Sequence, residues 1–176
     1  AECMTDQALW YAVHIRSNRE QQVHELLQRG GVVSFLPCYR VRSSRRDRVV
    51  HLQRPLFPGY LFVRLIICSD VRIRVLRTPG VVRFVGFTDG PVPLPERVME
   101  SLFILTGGDD HPARPHPLVK AGSRVRVASG PFCGATGVLH RMDGHPARLV
   151  VEVSFLGRAV AVPIETDQVM PVSASD

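Results

Sequence analysis

Apolar and polar positions alternate over Leu9–Ile15: Leu9, Tyr11, Val13 and Ile15 fall on one side, Trp10, Ala12 and His14 on the other. A period of two predicts a strand. From residue 17 the period lengthens, with Val23, Leu26 and Leu27 forming an i, i+3, i+4 stripe. Ser17 and Glu20 stand at capping-box spacing before that stripe, and Gly30 and Gly31 can end the helix. A second strand is expected over 32–36, stopped by Pro37, and residues 49–53 lead as a strand into the stretch 55–65. There Pro58 and Gly59 break the chain before a strand rich in β-formers. Leu61, Val63 and Leu65 share one face, which predicts aliphatic packing against helices. Tyr60, Phe62 and Arg64 share the other. Two readings of that second face stand side by side: a core face, or an exposed aromatic platform for a protein partner.

Further along, Ser69 can cap a short helix over 69–76, ended by Thr78, Pro79 and Gly80, and a strand is expected over 81–87. Asp89 and Gly90 with the prolines after them make a turn. Pro95 suits a helix start, and Val98, Leu102 and Leu105 run down one helical face before Gly107. The order β-α-β-β-α-β-α predicts an α+β domain over 8–106, with an antiparallel or mixed sheet and helices packed on it. Residues 107–117 have the composition of a flexible linker. His111 and His116 lie in it without nearby Cys or further His, so no metal site is expected there. From residue 118 the pattern changes to short strands (124–127, 136–139, 149–155, 159–162 and 169–170) divided by Gly-rich turns. Closure of such strands removes sheet edges, which predicts a small β-barrel over 118–173. Helices there would have to absorb Gly134, Gly137 and the valines at 150, 151 and 153.

Composition narrows the class. The chain has 176 residues, room for one ordinary or two small domains, and its 45% hydrophobic content is that of a globular protein. No apolar run approaches the roughly 20 residues of a membrane span. The opening residues lack the basic and apolar regions of a signal peptide, so a cytoplasmic protein is expected. Cys3, Cys38, Cys68 and Cys133 are scattered, which argues against a zinc site or disulfide framework. Cys38, Cys133 and His51 have no partner at catalytic spacing, so neither an enzyme nor a cofactor is expected. The formal charge of +6 permits an anionic partner. Arg40, Arg42, Arg45, Arg46, Arg48 and Arg54 crowd one segment against Asp47 alone. That segment reads as a solvated loop or hairpin, or as a phosphate contact through Arg45, Arg46 and Arg48.

The stretch Leu56-Phe-Pro-Gly-Tyr-Leu-Phe-Val63 resembles the signature of the NusG family of transcription elongation factors. Trp10 and Tyr11 opening the first strand, Pro79-Gly80-Val81 leading into Phe84-Val85-Gly86, and a KOW-like segment over 120–138 follow in the family's order. The resemblance spans the chain from Leu9 to about Val172. It implies an N-terminal NGN domain, a linker and an SH3-like KOW barrel. It further implies a monomeric elongation or antitermination factor that binds RNA polymerase across its cleft and suppresses pausing, without cofactor. The polymerase contact would be Phe57, Pro58, Tyr60 and Phe62, joined by His14. RfaH-like paralogs add a second polymerase contact through a His-Thr-Thr motif. This chain has Val71-Arg-Ile-Arg74 there, leaving Arg72 and Arg74 as the candidates. The KOW barrel would recruit the ribosome or Rho through Phe155, Leu156 and Arg158, and Leu156 stands where general factors carry Phe. The short linker, the short N-terminal domain and the departure at Leu156 lean toward a specialised paralog, and in some RfaH-like relatives the C-terminal region masks the polymerase site as a helical hairpin. The local sequence predicts strands instead, leaving Tyr60 and Phe62 unmasked. The other reading is a ribosome-associated or RNA-binding KOW protein, with the arginine segment against phosphates.

Overall fold

In the structure, a computed structural model describing residues 6–45, 47–108 and 110–172, the first alternating segment is strand β1 (Leu9–Ile15). There follow α1 (Glu20–Arg29), β2 (Val33–Phe35), β3 (Cys38–Arg45), β4 (Arg48–Pro55), β5 (Tyr60–Leu65) and α2 (Ser69–Arg77). Next come β6 (Val81–Phe84), β7 (Gly86–Phe87), β8 (Gly90–Pro91) and α3 (Glu96–Leu105). The remainder is β9 (Arg114–His116), β10 (Ser123–Val127), β11 (Thr136–His140), β12 (Arg148–Val153), β13 (Arg158–Pro163) and β14 (Val169–Pro171). The described residues group into two compact units, Ala1–Pro37 with Phe57–Glu96, and Cys38–Leu56 with Arg97–Asp176. This α+β architecture, with a β-rich C-terminal part, is the fold class that the sequence predicts.

In the first unit an antiparallel sheet has the order β2-β5-β1-β6. Strand β5 is therefore central, as its continuous apolar character requires. Its aliphatic face and that of β1 (Tyr11, Val13, Ile15, Leu61, Val63, Leu65) close over Val23 and Leu27 of α1 and Val75 of α2. The helix stripe at i, i+3, i+4 is what supplies those partners. The capping box does not form. The N-cap of α1 is Arg19, without a side-chain cap, because Asn18 takes a left-handed turn (φ 62°) and delays the helix by two residues. Glu20 turns inward instead. Ser69 likewise opens α2 without capping it, the N-cap being Cys68. The strand expected over 81–87 breaks after Phe84: Val85 donates its N–H to the Ala12 carbonyl, and β7 and β8 then pair as a small hairpin.

In the second unit β3 and β4 pair as a hairpin in register from Cys38↔Pro55 to Arg45↔Arg48. Arg40 and Arg42 lie exposed on one side, while Val41, Val50 and Leu52 are half-buried on the other. The six-stranded antiparallel sheet has the order β14-β10-β11-β12-β13-β9. The strands expected after residue 118 are all present, and no helical hairpin replaces them. A further strand, β9, lies inside the segment that composition marks as linker, paired with β13 through Ala161↔Arg114 and Ala159↔His116. Pro115 has no N–H to contribute, which suits its place on an edge strand. Buried Met99, Leu102 and Leu105 line α3, and its buried Ser101 hydroxyl oxygen accepts the Thr136 N–H at the start of β11 (3.0 Å). Among the described residues no helix is long and apolar enough to cross a membrane.

Candidate protein-partner interface

The stretch Phe57–Tyr60 is a tight turn. Tyr60 donates its N–H to the Phe57 carbonyl (3.0 Å), with Pro58 and Gly59 at the two central positions. Proline presets the first of these and Gly59 takes φ +83°, the combination a type II turn requires. Two further bonds clamp it to its surroundings. Gly59 accepts the Ile15 N–H (2.7 Å) and donates its own N–H to Glu20 Oε1 (3.0 Å). Glu20 is the buried acidic residue that the capping box had placed outside the site. It fixes the turn from the first turn of α1.

Beyond the turn, the register His14↔Tyr60 puts these two side chains on one face of the sheet. Their rings lie 5.3 Å apart, tilted by 30°, and both are partly exposed. Pro58 is exposed beside them, and so is Arg83, which pairs with His14 from β6. Arg83 is a site neighbour that sequence reasoning passed over, because its pairing with His14 depends on strand order. His14 Nδ1 is buried without a partner among the described residues.

Phe57 and Phe62 are placed differently from the expectation. Both are 0% exposed. Phe62 meets Phe57 edge-on (5.3 Å, 84°) and stacks on Phe35 (6.3 Å, 29°), and Phe35 meets the Trp10 ring edge-on at 6.4 Å. The expectation of an aromatic platform with Phe62 unmasked is therefore corrected. The middle of that face is an aromatic core, because β2 brings Phe35 alongside and the Pro58–Gly59 turn folds Phe57 back. What is left accessible is one end of the face: Pro58, Tyr60 and His14, next to buried Phe57 and Phe62. Phe35 was legible only as part of a strand, since its contact with Phe62 depends on strand order.

The other candidate residues fall elsewhere. Arg72 and Arg74 are exposed on α2, and Arg72 lines a shallow groove with Leu76, Val82 and Phe87. Arg48 is exposed at the end of the β3–β4 hairpin, Arg45 belongs to its backbone, and Arg46 lies outside the described residues. Phe155 and Leu156 are half-buried in a 3-10 turn joining β12 to β13, Gly157 closes it at φ 65°, and Arg158 is exposed beyond. His111 Nε2 donates to the Cys38 carbonyl (2.7 Å), while the His116 ring packs edge-on against His140. Among the described residues Cys38, Cys68 and Cys133 form no disulfide.

Comparison with known proteins gives a consistent picture. The family profile described as "Transcription termination factor nusG" matches residues 8–103. The transcription termination/antitermination protein NusG of Deinococcus radiodurans is 32% identical over 184 residues, covering 91% of this chain and 97% of that protein. NusG of Pseudomonas aeruginosa is 29% identical over 173 residues, covering 93% and 98%. A solved structure of Thermotoga maritima NusG, described for its domain interaction, superposes with a TM-score of 0.56 at 28% identity, covering 95% of this chain and 98% of that one.

Proposed function

Since the chain belongs to the NusG family of transcription factors, we propose that it binds RNA polymerase through the end of the central sheet marked by Pro58, Tyr60 and His14, and suppresses pausing. The observation that carries this reading is the pairing of Tyr60 and His14, partly exposed beside a turn held by two backbone bonds and the Glu20 carboxylate. Tyrosine offers a rigid apolar body with a polar tip, and such residues dominate contact energies when seated on an unyielding base. Phe57 and Phe62 form the buried aromatic core next to Tyr60 on the same face.

The action needs no bond to be made or broken, and none of the residues above serves as nucleophile or base. A protein that binds the elongating polymerase better than the paused one shifts the population between them. A difference of about 1–3 kcal/mol changes pausing roughly 5- to 150-fold. Arg45, Arg46 and Arg48 are assigned to the nucleic acid of the elongation complex, and Arg72 with Arg74 to a second polymerase contact. The β12–β13 turn with Phe155, Leu156 and Arg158 recruits a further factor, the ribosome or Rho. We assign polymerase binding to the N-terminal part (residues 8–106) and recruitment to the C-terminal part (residues 118–173).

The test is transcription in vitro by purified polymerase through a defined pause. Wild-type protein shortens the pause and Tyr60→Ala does not. A pause lifetime that the wild-type protein leaves unchanged overturns the reading.

A further inference from the structure

In the second unit the β11–β12 hairpin carries a pocket of about 230 Å³, lined by His140, Met142, His145, Pro146 and Arg148. The register sets Arg148 directly opposite His140 where the strands end. Beyond them His145 donates its N–H to the Met142 carbonyl (3.1 Å), and Gly144 takes φ +76° at the third position, as a type II turn requires. That turn fixes Met142 and His145 at its two ends. His140 is braced as well: the His116 ring packs edge-on against it (5.6 Å, 72°), and His116 donates its Nδ1 hydrogen to the Pro117 carbonyl (2.7 Å). Among the described residues no carboxylate lines the pocket, and Met142 is 57% exposed.

We propose that this pocket receives a glutamate or aspartate side chain of a partner protein, with apolar residues on either side of that carboxylate. Arg148 supplies a planar fork matched to two carboxylate oxygens, and the two imidazoles add N–H donors. Met142 and Pro146 give the apolar neighbours a surface, and a thioether adapts its shape to what it meets. Nucleic acid fits less well. Its charges repeat along the strand, whereas one guanidinium lines this pocket, and Asp143, exposed in the turn, repels a neighbouring phosphate. The site also lies apart from the β12–β13 turn that carries Phe155 and Leu156. At roughly 3.4 Å per residue, β12 sets the two turns about 17 Å apart, so the same sheet can hold two partners at once. Occupation of the pocket does not depend on polymerase binding.

The experiment uses the full-length protein without polymerase and follows the fluorescence anisotropy of a labelled short peptide of alternating glutamate and leucine. Companion probes are the same peptide with glutamine for glutamate, an oligoglutamate of equal length, and a single-stranded RNA. His145→Ser/Arg148→Ser and Met142→Ser are compared with wild type and with Leu156→Ser in the other turn; circular dichroism checks each fold. The double variant should bind the alternating peptide roughly tenfold more weakly, since it loses the charged partner and one donor. Met142→Ser should lose a smaller factor, and Leu156→Ser should bind as wild type does. The glutamine peptide and the oligoglutamate should both bind wild type more weakly than the alternating peptide. Equal binding of the alternating peptide by wild type and the double variant overturns the proposal. So does equal binding of the glutamine peptide. So does an RNA that wild type holds more tightly than the peptide and the double variant releases, which would make the pocket a nucleic-acid site.

Discussion

At the scale of single residues, Glu20 shows how one side chain ties a helix to a site. Its carboxylate leaves the helix end and accepts the Gly59 N–H, so the turn that presents Tyr60 depends on it. Removing the acceptor leaves a half-buried amide unpaired. Glu20→Ala should therefore cost about 1–3 kcal/mol in urea unfolding, and Glu20→Gln, which keeps an acceptor oxygen, should cost less. A second residue carries pH dependence. His24 Nδ1 meets the Ser34 hydroxyl at 2.7 Å between α1 and β2. Burial pushes its imidazole below the ordinary value, against a weaker upward pull from Glu25. The unfolded chain, with a pKa near about 6.5, then binds the proton more readily than the folded one. His24's contribution is present above that value and is lost as pH falls through the depressed folded value. Melting temperatures from pH 8 to pH 5 should fall more for wild type than for His24→Gln; parallel curves would remove His24 as the cause.

At the scale of elements, the alternation in β1 and β5 was readable because both faces of a central strand carry large apolar residues at period two. The strands after residue 118 were readable for the same reason, helped by glycines that only tight turns or close approaches use. Gly137 is one of the latter: a Cβ built there would stand 2.5 Å from the Val150 carbonyl oxygen of the neighbouring strand. Gly137→Ala should thus force β11 from β12 and cost about 1–3 kcal/mol, read as a lower unfolding midpoint. A midpoint equal to wild type would mean that the strands separate freely. What sequence could not supply was strand order. It is order that brings Phe35 to Phe62, and so turns an apparently open aromatic face into core. The same gap hid β9, whose pairing with β13 lies far along the chain and leaves no local signature in a Pro-rich segment. Ser17 and Glu20 had the spacing of a cap, but the left-handed Asn18 spent that spacing on a turn. Of the candidate interface, Tyr60 was legible by parity and His14 through the family resemblance. Glu20 and Arg83 were not, because each reaches the site from another element.

For the whole molecule, the excess of 22 basic over 16 acidic residues matters through its placement. Hairpin arginines that touch nucleic acid in an elongation complex should each add about one unit to the log–log salt slope of binding. Replacing Arg45, Arg46 and Arg48 by Ser should flatten that slope by as many units as contacts are lost, and an unmoved slope would make the hairpin tip a solvated loop. The central claim concerns the accessible end of the sheet. Phe62→Ala cannot test it cleanly, since emptying a fully buried aromatic site should cost about 3–5 kcal/mol of fold stability. Tyr60→Ala can. The most direct measurement is titration of fluorescently labelled full-length protein with core RNA polymerase, comparing wild type, Tyr60→Ala and Arg64→Ala, the last an exposed change at the far end of the same strand. The account predicts that Tyr60→Ala weakens binding by about 2 kcal/mol, roughly thirtyfold, with an unfolding midpoint near that of wild type, and that Arg64→Ala binds normally. Wild-type affinity in the Tyr60→Ala protein would contradict it.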